Sequence, residues 1–273
     1  MSIIFRKFGA GNSNASLAYV EETGFYYLFV TYGIPGLDAH IRVGRSKSAN
    51  GPFLDPSGED LAVASDAGKT PGFLFLASFK YDDETGIFGP ANGCLVKTGT
   101  GYIFTFKHGF GDASFPVIFS QDGWPLICPG DAPAGASVYK KDYALNDIQG
   151  YYECIILSPA LPQGLTSAVF IAFLTGEQRG IMSMQKGDEW VFPIAEDDDG
   201  RVELSGSMRS SYKLSGNELV LSFVHDTVAL NLCTAIDKVT ASETVFLTGK
   251  GTSGIAYMLK KIELPQPNHY FRP

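Results

Sequence analysis

Apolar residues in this chain fall in short runs separated by Gly, Pro, Asn and Asp, and no long stretch keeps a helical repeat. That pattern predicts strands. The densest run, Phe25–Tyr32 (FYYLFVTY), joins aromatic and β-branched side chains that suit a half-buried pleated strand. His40–Ser46 reads as a second strand. Gly33, Pro35 and Gly36 supply the turn between them, and Ser48, Asn50, Gly51 and Pro52 stop the second strand. The same reasoning predicts strands at 17–20, 73–79, 94–97, 102–107 and 115–119, then at 151–157, 168–174, 180–184, 207–214, 218–224, 228–235 and 255–262. The fold class is all-β.

The turn-rich stretch PGDAPAG at 129–135 does not suit a strand interior, which places a boundary between a first domain, 1–131, and a second, 132–273. Strand spacing in the second suits a sandwich or small barrel. A chain of 273 residues with 45% hydrophobic content is ample for two buried cores. The net charge of −8, with no basic cluster beyond the pairs at 140–141 and 260–261, argues against a nucleic-acid partner. Met1–Gly9 is too short and too charged for the apolar core of a secretory signal, and no stretch reaches the ~20 apolar residues of a membrane span. The four cysteines, Cys94, Cys128, Cys154 and Cys233, form no CxxC word; they read as small buried hydrophobes in a reducing compartment, which implies a cytoplasmic protein.

Three words carry a family resemblance: GFYYLFVTYG at 24–33, IRVGRSKSANGPFLD at 41–55 and SQDGWPLICP at 120–129. They resemble glycoside hydrolase family 43, the arabinanase and β-xylosidase-like five-bladed propellers. In that family a YYLF strand, a VGRS strand and a GP(Y/F) turn share one blade, and a DGWP segment ends the last. The resemblance implies that the first half builds about two four-stranded blades. More loosely, IQGYYEC at 148–154, GRVELSGSM at 200–208 and the hairpin VFLTGKG…AYMLKK at 245–261 resemble the β-domain that follows the propeller in some endo-arabinanases.

The family inverts glycosidic bonds with one carboxylate as base to a water and another as acid to the leaving oxygen. The resemblance implies that the base and a third, helper carboxylate belong to blades before Phe25; with only 24 residues ahead of it, neither blade is expected here. The acid's usual Glu-Ala-Pro or Glu-Gly-Pro word corresponds to Asn14-Ala15-Ser16, and an amide is no general acid. No catalytic residue is therefore assigned. Glu21 and Glu22, just before Thr23-Gly24, read as a solvated hairpin tip. The family's Pro-Gly-His-Asn word corresponds to Pro90-Ala91-Asn92-Gly93, without the imidazole, and His108 matches a strand-end His of relatives. Asn14, Asn92, His108 and Phe110 are the expected sugar contacts. The acidic run at 196–200 lacks the alternating spacing of a calcium loop and reads as a solvated tip, so no metal is expected, nor any cofactor.

Three functions follow: an inactive arabinanase-like remnant that binds an arabino- or xylo-oligosaccharide; part of an active glycosidase completed by blades from elsewhere; or a structural, protein-interaction β-protein. Two blades without a ring expose apolar faces. A homo-oligomer or a covering partner is expected there, with the C-terminal β-domain folded back as the alternative.

Overall fold

The computed structural model describes residues 14–62, 70–81, 86–138, 142–148, 150–157, 170–174, 179–184, 194–196, 202–204, 208–222 and 227–262. Two antiparallel four-stranded meanders come first. One runs in order through β1 (Ala15–Val20), β2 (Phe25–Tyr32), β3 (His40–Ser46) and β4 (Phe73–Leu76). The other is β5 (Ala91–Thr98), β6 (Gly101–His108), β7 (Gly111–Phe119) and β8 (Pro125–Ile127). β8 had no separate sequence signal. It is three residues long and opens on a proline, which a sheet edge tolerates because no ladder N–H is needed there.

The FYYLFVTY run lacks polar alternation because both faces of β2 are covered. Tyr27 and Phe29 turn toward the second sheet, where Phe29 meets Phe104 at 4.8 Å and Tyr27 meets Phe119 at 5.6 Å between ring centres. Leu28 and Val30, on the opposite face, pack with Phe53 and Leu61 from the loop after β3. That loop explains the glycine of the VGRS word. A Cβ on Gly44 would overlap Leu61 Cδ1 and stand 2.9 Å from the Phe53 carbonyl oxygen.

The arginine of the same word reaches the DGWP word 77 residues away. The Arg45 guanidinium lies 4.5 Å from the Phe25 ring centre and 4.3 Å from that of Trp124, and donates to the Asp122 carbonyl. The Tyr27 hydroxyl donates to the Gly123 carbonyl. The words that carry the resemblance are thus a cation–π and hydrogen-bonded clamp between the two sheets.

After one helical turn, α1 (Leu145–Ile148), the second half closes a barrel. Its strands are β9 (Gly150–Leu157), β10 (Phe170–Leu174), β11 (Arg179–Met184), β14 (Met208–Ser215), β15 (Glu218–Ser222), β16 (Thr227–Ile236), β17 (Glu243–Gly251) and β18 (Ala256–Ile262), with β18 pairing back onto β9. A hairpin, β12 (Ile194–Glu196) with β13 (Val202–Leu204), stands apart from it. Residues 197–200 of the acidic run lie outside the described residues. The choice between sandwich and barrel, open from strand spacing, resolves to a barrel because only the β9–β18 register closes the ring.

Alternation along the barrel strands makes two cores. Leu219, Leu230, Leu232, Leu247, Tyr257 and Leu259 fill one, with Tyr143 and Tyr152. On the other faces of the same strands Ile155, Leu157, Phe246, Ala256 and Met258 join the cluster of Phe79, Tyr81, Phe115 and Ile127 from the first half. The barrel is thus folded against the two meanders, and the Tyr81 hydroxyl donates to the Met258 carbonyl at 3.3 Å.

The reading of the cysteines needs correction. Cys128, just after β8, and Cys233, in β16, form a disulfide across 105 residues. No local spacing announces such a pair, because the fold alone brings its halves together. Cys94 is free and exposed rather than buried, and the Cys154 side chain lies outside the described residues. Among the described residues no helix is long and apolar enough to cross a membrane.

Candidate functional site

β1 and β5 begin at the same end of the two sheets, and there Asn14 and Asn92 meet. The Asn14 Nδ2 donates to Asn92 Oδ1 at 2.6 Å. Both backbones are anchored on Thr31: its N–H donates to the Asn14 carbonyl at 2.9 Å, and its hydroxyl accepts from the Asn92 N–H at 3.1 Å. Ser16 Oγ adds a bond to the Gly93 carbonyl at 2.7 Å. Asn92 sits at φ +57° in a register shift of β5, a left-handed position that asparagine tolerates better than most residues. Gly93 must be a glycine, since a Cβ there would overlap the Phe104 ring.

Asn92 and His108 line one open cleft of about 920 Å³. His108 ends β6, with Phe106 at 6.1 Å on one side and Phe110 edge-on at 5.8 Å on the other. The Phe110 N–H points at His108 Nδ1 across 3.4 Å, which assigns the ring proton to Nε2. Burial, then the nearby Lys238 ammonium, holds the imidazole below its usual pKa, against a weaker upward pull from Asp112. The ring is therefore neutral at pH 7 and offers one donor. Phe110 occupies the two-residue β6–β7 turn, 70% exposed, beside His108 but not among the residues that line the cleft. All four residues singled out from the sequence thus gather at one end of the fold.

The Glu21–Glu22 turn lies at the other end of β1, about 20 Å away at ~3.4 Å per residue. Glu22 accepts from Lys97 Nζ at 2.8 Å and from the Tyr102 hydroxyl at 2.5 Å. The hydrogen bond from Lys97, then that from Tyr102, pulls its carboxyl down to about 2. A carboxylate so held cannot donate a proton at neutral pH.

Sequence reasoning missed the other wall of the cleft. Lys238 and Val239, from the turn after β16, and Asp131, from the segment leading to the barrel, also line it. Lys238 Nζ stands 3.6 Å from Asp131 Oδ1 and 4.4 Å from the Phe115 ring centre. No spacing in the chain joins these residues, because the contact exists only once the barrel docks. The two carboxylates in the cleft, Asp112 and Asp131, stand beside Lys107 (3.9 Å) and Lys238, with side chains 81% and 56% exposed. His40, outside this cleft, is pushed down to about 4 by burial and by Arg42, and stacks on Tyr32 at 5.7 Å. Among the described residues no group of His, Cys, Asp or Glu is arranged to hold a metal ion. Amides, a neutral imidazole, paired charges and an exposed aromatic make a surface suited to hydroxyl groups.

No protein-family profile matches the chain. It is 30% identical over 163 residues to the extracellular endo-α-(1→5)-L-arabinanase 2 of Bacillus subtilis (strain 168), covering 50% of this chain and 34% of that protein. It is 29% identical over 162 residues to the extracellular endo-α-(1→5)-L-arabinanase of Thermotoga petrophila, covering 51% of this chain and 33% of that one. The chain therefore spans about a third of the length of these curated relatives. Among solved structures, an endo-1,5-α-L-arabinanase from Thermotoga petrophila matches 93% of this chain and 56% of its own with a TM-score of 0.73 at 17% identity. A family 43 glycoside hydrolase from Bacillus licheniformis matches 91% and 55%, with a TM-score of 0.70 at 18% identity. At such identities the likeness is one of fold.

Proposed function

We propose that this chain, whose fold is that of the family 43 arabinanases, binds neutral arabino-oligosaccharides at the Asn14–Asn92–His108 end and leaves their glycosidic bonds intact. One observation carries the reading: Asn14, which the resemblance sets at the family's acid word, donates a 2.6 Å hydrogen bond from its side-chain amide to that of Asn92. An amide pair recognises hydroxyls, as donor and acceptor at once, but moves no proton to a leaving oxygen. The arabinanase activity of the relatives supports arabinan as the polymer class, and Phe110 supplies an exposed ring beside His108. The Cys128–Cys233 bridge supports an oxidising compartment rather than the cytoplasm expected from the sequence.

Asn92→Ala removes the amide that faces both Asn14 and the cleft. Its affinity for α-(1→5)-arabinotetraose, measured calorimetrically, is expected to fall about tenfold, the loss of one hydrogen-bonding group from the contact with the sugar. Wild-type affinity in both Asn92→Ala and His108→Ala would place the ligand elsewhere.

A second reading is favoured by β1. Leu17 (39% exposed) and Tyr19 (54% exposed) stand on its face away from the second sheet, Tyr19 against Tyr26 at 4.7 Å between ring centres. A second copy or further blades seated on that face would bury them. Light scattering at micromolar concentration is expected to give a species larger than 29.5 kDa if this reading holds. A monodisperse species of that mass removes the self-association.

A further inference from the structure

The cleft continues past His108 to the barrel, and the turn that forms its far wall is unusually well fixed. Asp237 Oδ1 accepts from the N–H groups of Val239 (2.7 Å) and Thr240 (3.2 Å), and the Asp237 carbonyl accepts from Ala241 at 2.9 Å. The second carboxylate oxygen of Asp237 stands 3.4 Å from Lys260 Nζ. Lys260 is fully buried and lies over the Tyr81 ring at 4.9 Å, so the turn is tied through the blade–barrel junction itself. Lys238 and Val239 are thus presented to the cleft in one arrangement before any ligand arrives.

We propose that Lys238 and Asp131 form a second sugar-binding position at this junction. It takes a vicinal diol of a neutral oligosaccharide whose other residues lie at Asn92 and His108. An ammonium only donates hydrogen bonds and a carboxylate only accepts them, whereas each hydroxyl does both. A donor-only and an acceptor-only group 3.6 Å apart match the two oxygens of a diol, one accepting from Lys238 and one donating to Asp131. The cleft's two lysines each face an aspartate, Lys107 with Asp112 and Lys238 with Asp131, so charge is already balanced and an anionic sugar would displace a carboxylate from its partner. Val239, 48% exposed, offers an apolar surface to the C–H face of a ring. A volume of about 920 Å³ is at the upper end of the ~300–1,000 Å³ of ligand clefts, which suits several linked rings rather than one.

This position rests on the carbohydrate reading for the class of its ligand, and chain length separates the two claims. Wild type, Lys238→Met and Asp131→Asn are titrated calorimetrically with α-(1→5)-arabinobiose and arabinotetraose. Wild type is expected to bind the tetraose about tenfold more tightly than the biose, a difference of about 1.4 kcal/mol. Each variant is expected to lose that gain while keeping its affinity for the biose. A loss of structure would weaken both ligands alike, and unfolding curves that overlay the wild type's exclude it. Should Asp131→Asn disturb the backbone bridge to Ile236, Lys238→Met carries the test alone. Wild type that binds with variants that keep the chain-length gain overturns the junction position only. Wild type that binds neither sugar overturns the carbohydrate reading, and this position with it.

Discussion

Replacing both Cys128 and Cys233 by alanine lowers the unfolding free energy by about 3–5 kcal/mol. The bridge closes a loop of 105 residues, and a chain-entropy estimate for a loop of ~100 residues is about 4.7 kcal/mol. The bond also joins the end of β8 to β16, so it holds the barrel against the meanders at a place where both halves are buried: Cys128 and Cys233 are each 0% exposed. At ~2–4 °C per kcal/mol for a chain of this size, the melting temperature falls by roughly 10 °C. Scanning calorimetry of the double variant reads this directly, and Cys94→Ser is the control because that thiol is free and exposed. Overlaying melts for the double variant and wild type would show that the bridge contributes nothing to stability.

Lys260→Ala has an effect of similar size for a different reason. The side chains of Lys260 and Asp237 are 0% and 6% exposed, and Glu153, opposite Lys260 in the β9–β18 pairing, is 4% exposed. Removing the ammonium leaves carboxylates in a buried junction, and breaking such a pair costs roughly 3–5 kcal/mol, whereas an apolar pair in its place is often neutral. Burial alone would raise Asp237, but the N–H groups of Val239 and Thr240, with Lys260, bring it below its usual value. A lowered carboxyl contributes stability that is fully present above the unfolded carboxylate value near 3.9 and is lost as pH falls through the lower folded one. The difference between wild type and Lys260→Ala should accordingly be largest near pH 7 and shrink below about pH 4. Urea melts at the two pH values check it; a pH-independent difference would locate the loss in packing.

Local chemistry made much of the first half legible. Turn residues around β2 and β3 marked both strands, and the apolar run of β2 is what a strand covered on both faces requires. The resemblance words were legible as words, but their reason lay in contacts: Gly44 under Leu61, and Arg45 between Phe25 and Trp124. What escaped the sequence is whatever depends on docking. Closure of the barrel rests on β18 returning to β9, the disulfide joins positions 105 apart, and the far wall of the cleft comes from Lys238. Asn14 and Asn92 were each nameable from the family words, but only the folded chain reveals that they bond to one another. The opposite fate met Glu22. Its turn reads as a solvated tip, and it is exposed, yet it holds Lys97 and Tyr102 from the second sheet.

Non-hydrolytic binding is tested most directly by following one sample from binding to recovery. The protein is saturated with α-(1→5)-arabinotetraose in a calorimeter, held for hours at pH 7, and the sugar is then recovered and separated by chain length. A saturable isotherm with all the tetraose recovered intact is the expected result, because Asn14 has no proton to give and Glu22 is held ionised. Shorter arabinosides that accumulate in proportion to protein, and that persist when Glu21 and Glu22 are both changed to Gln, would contradict it.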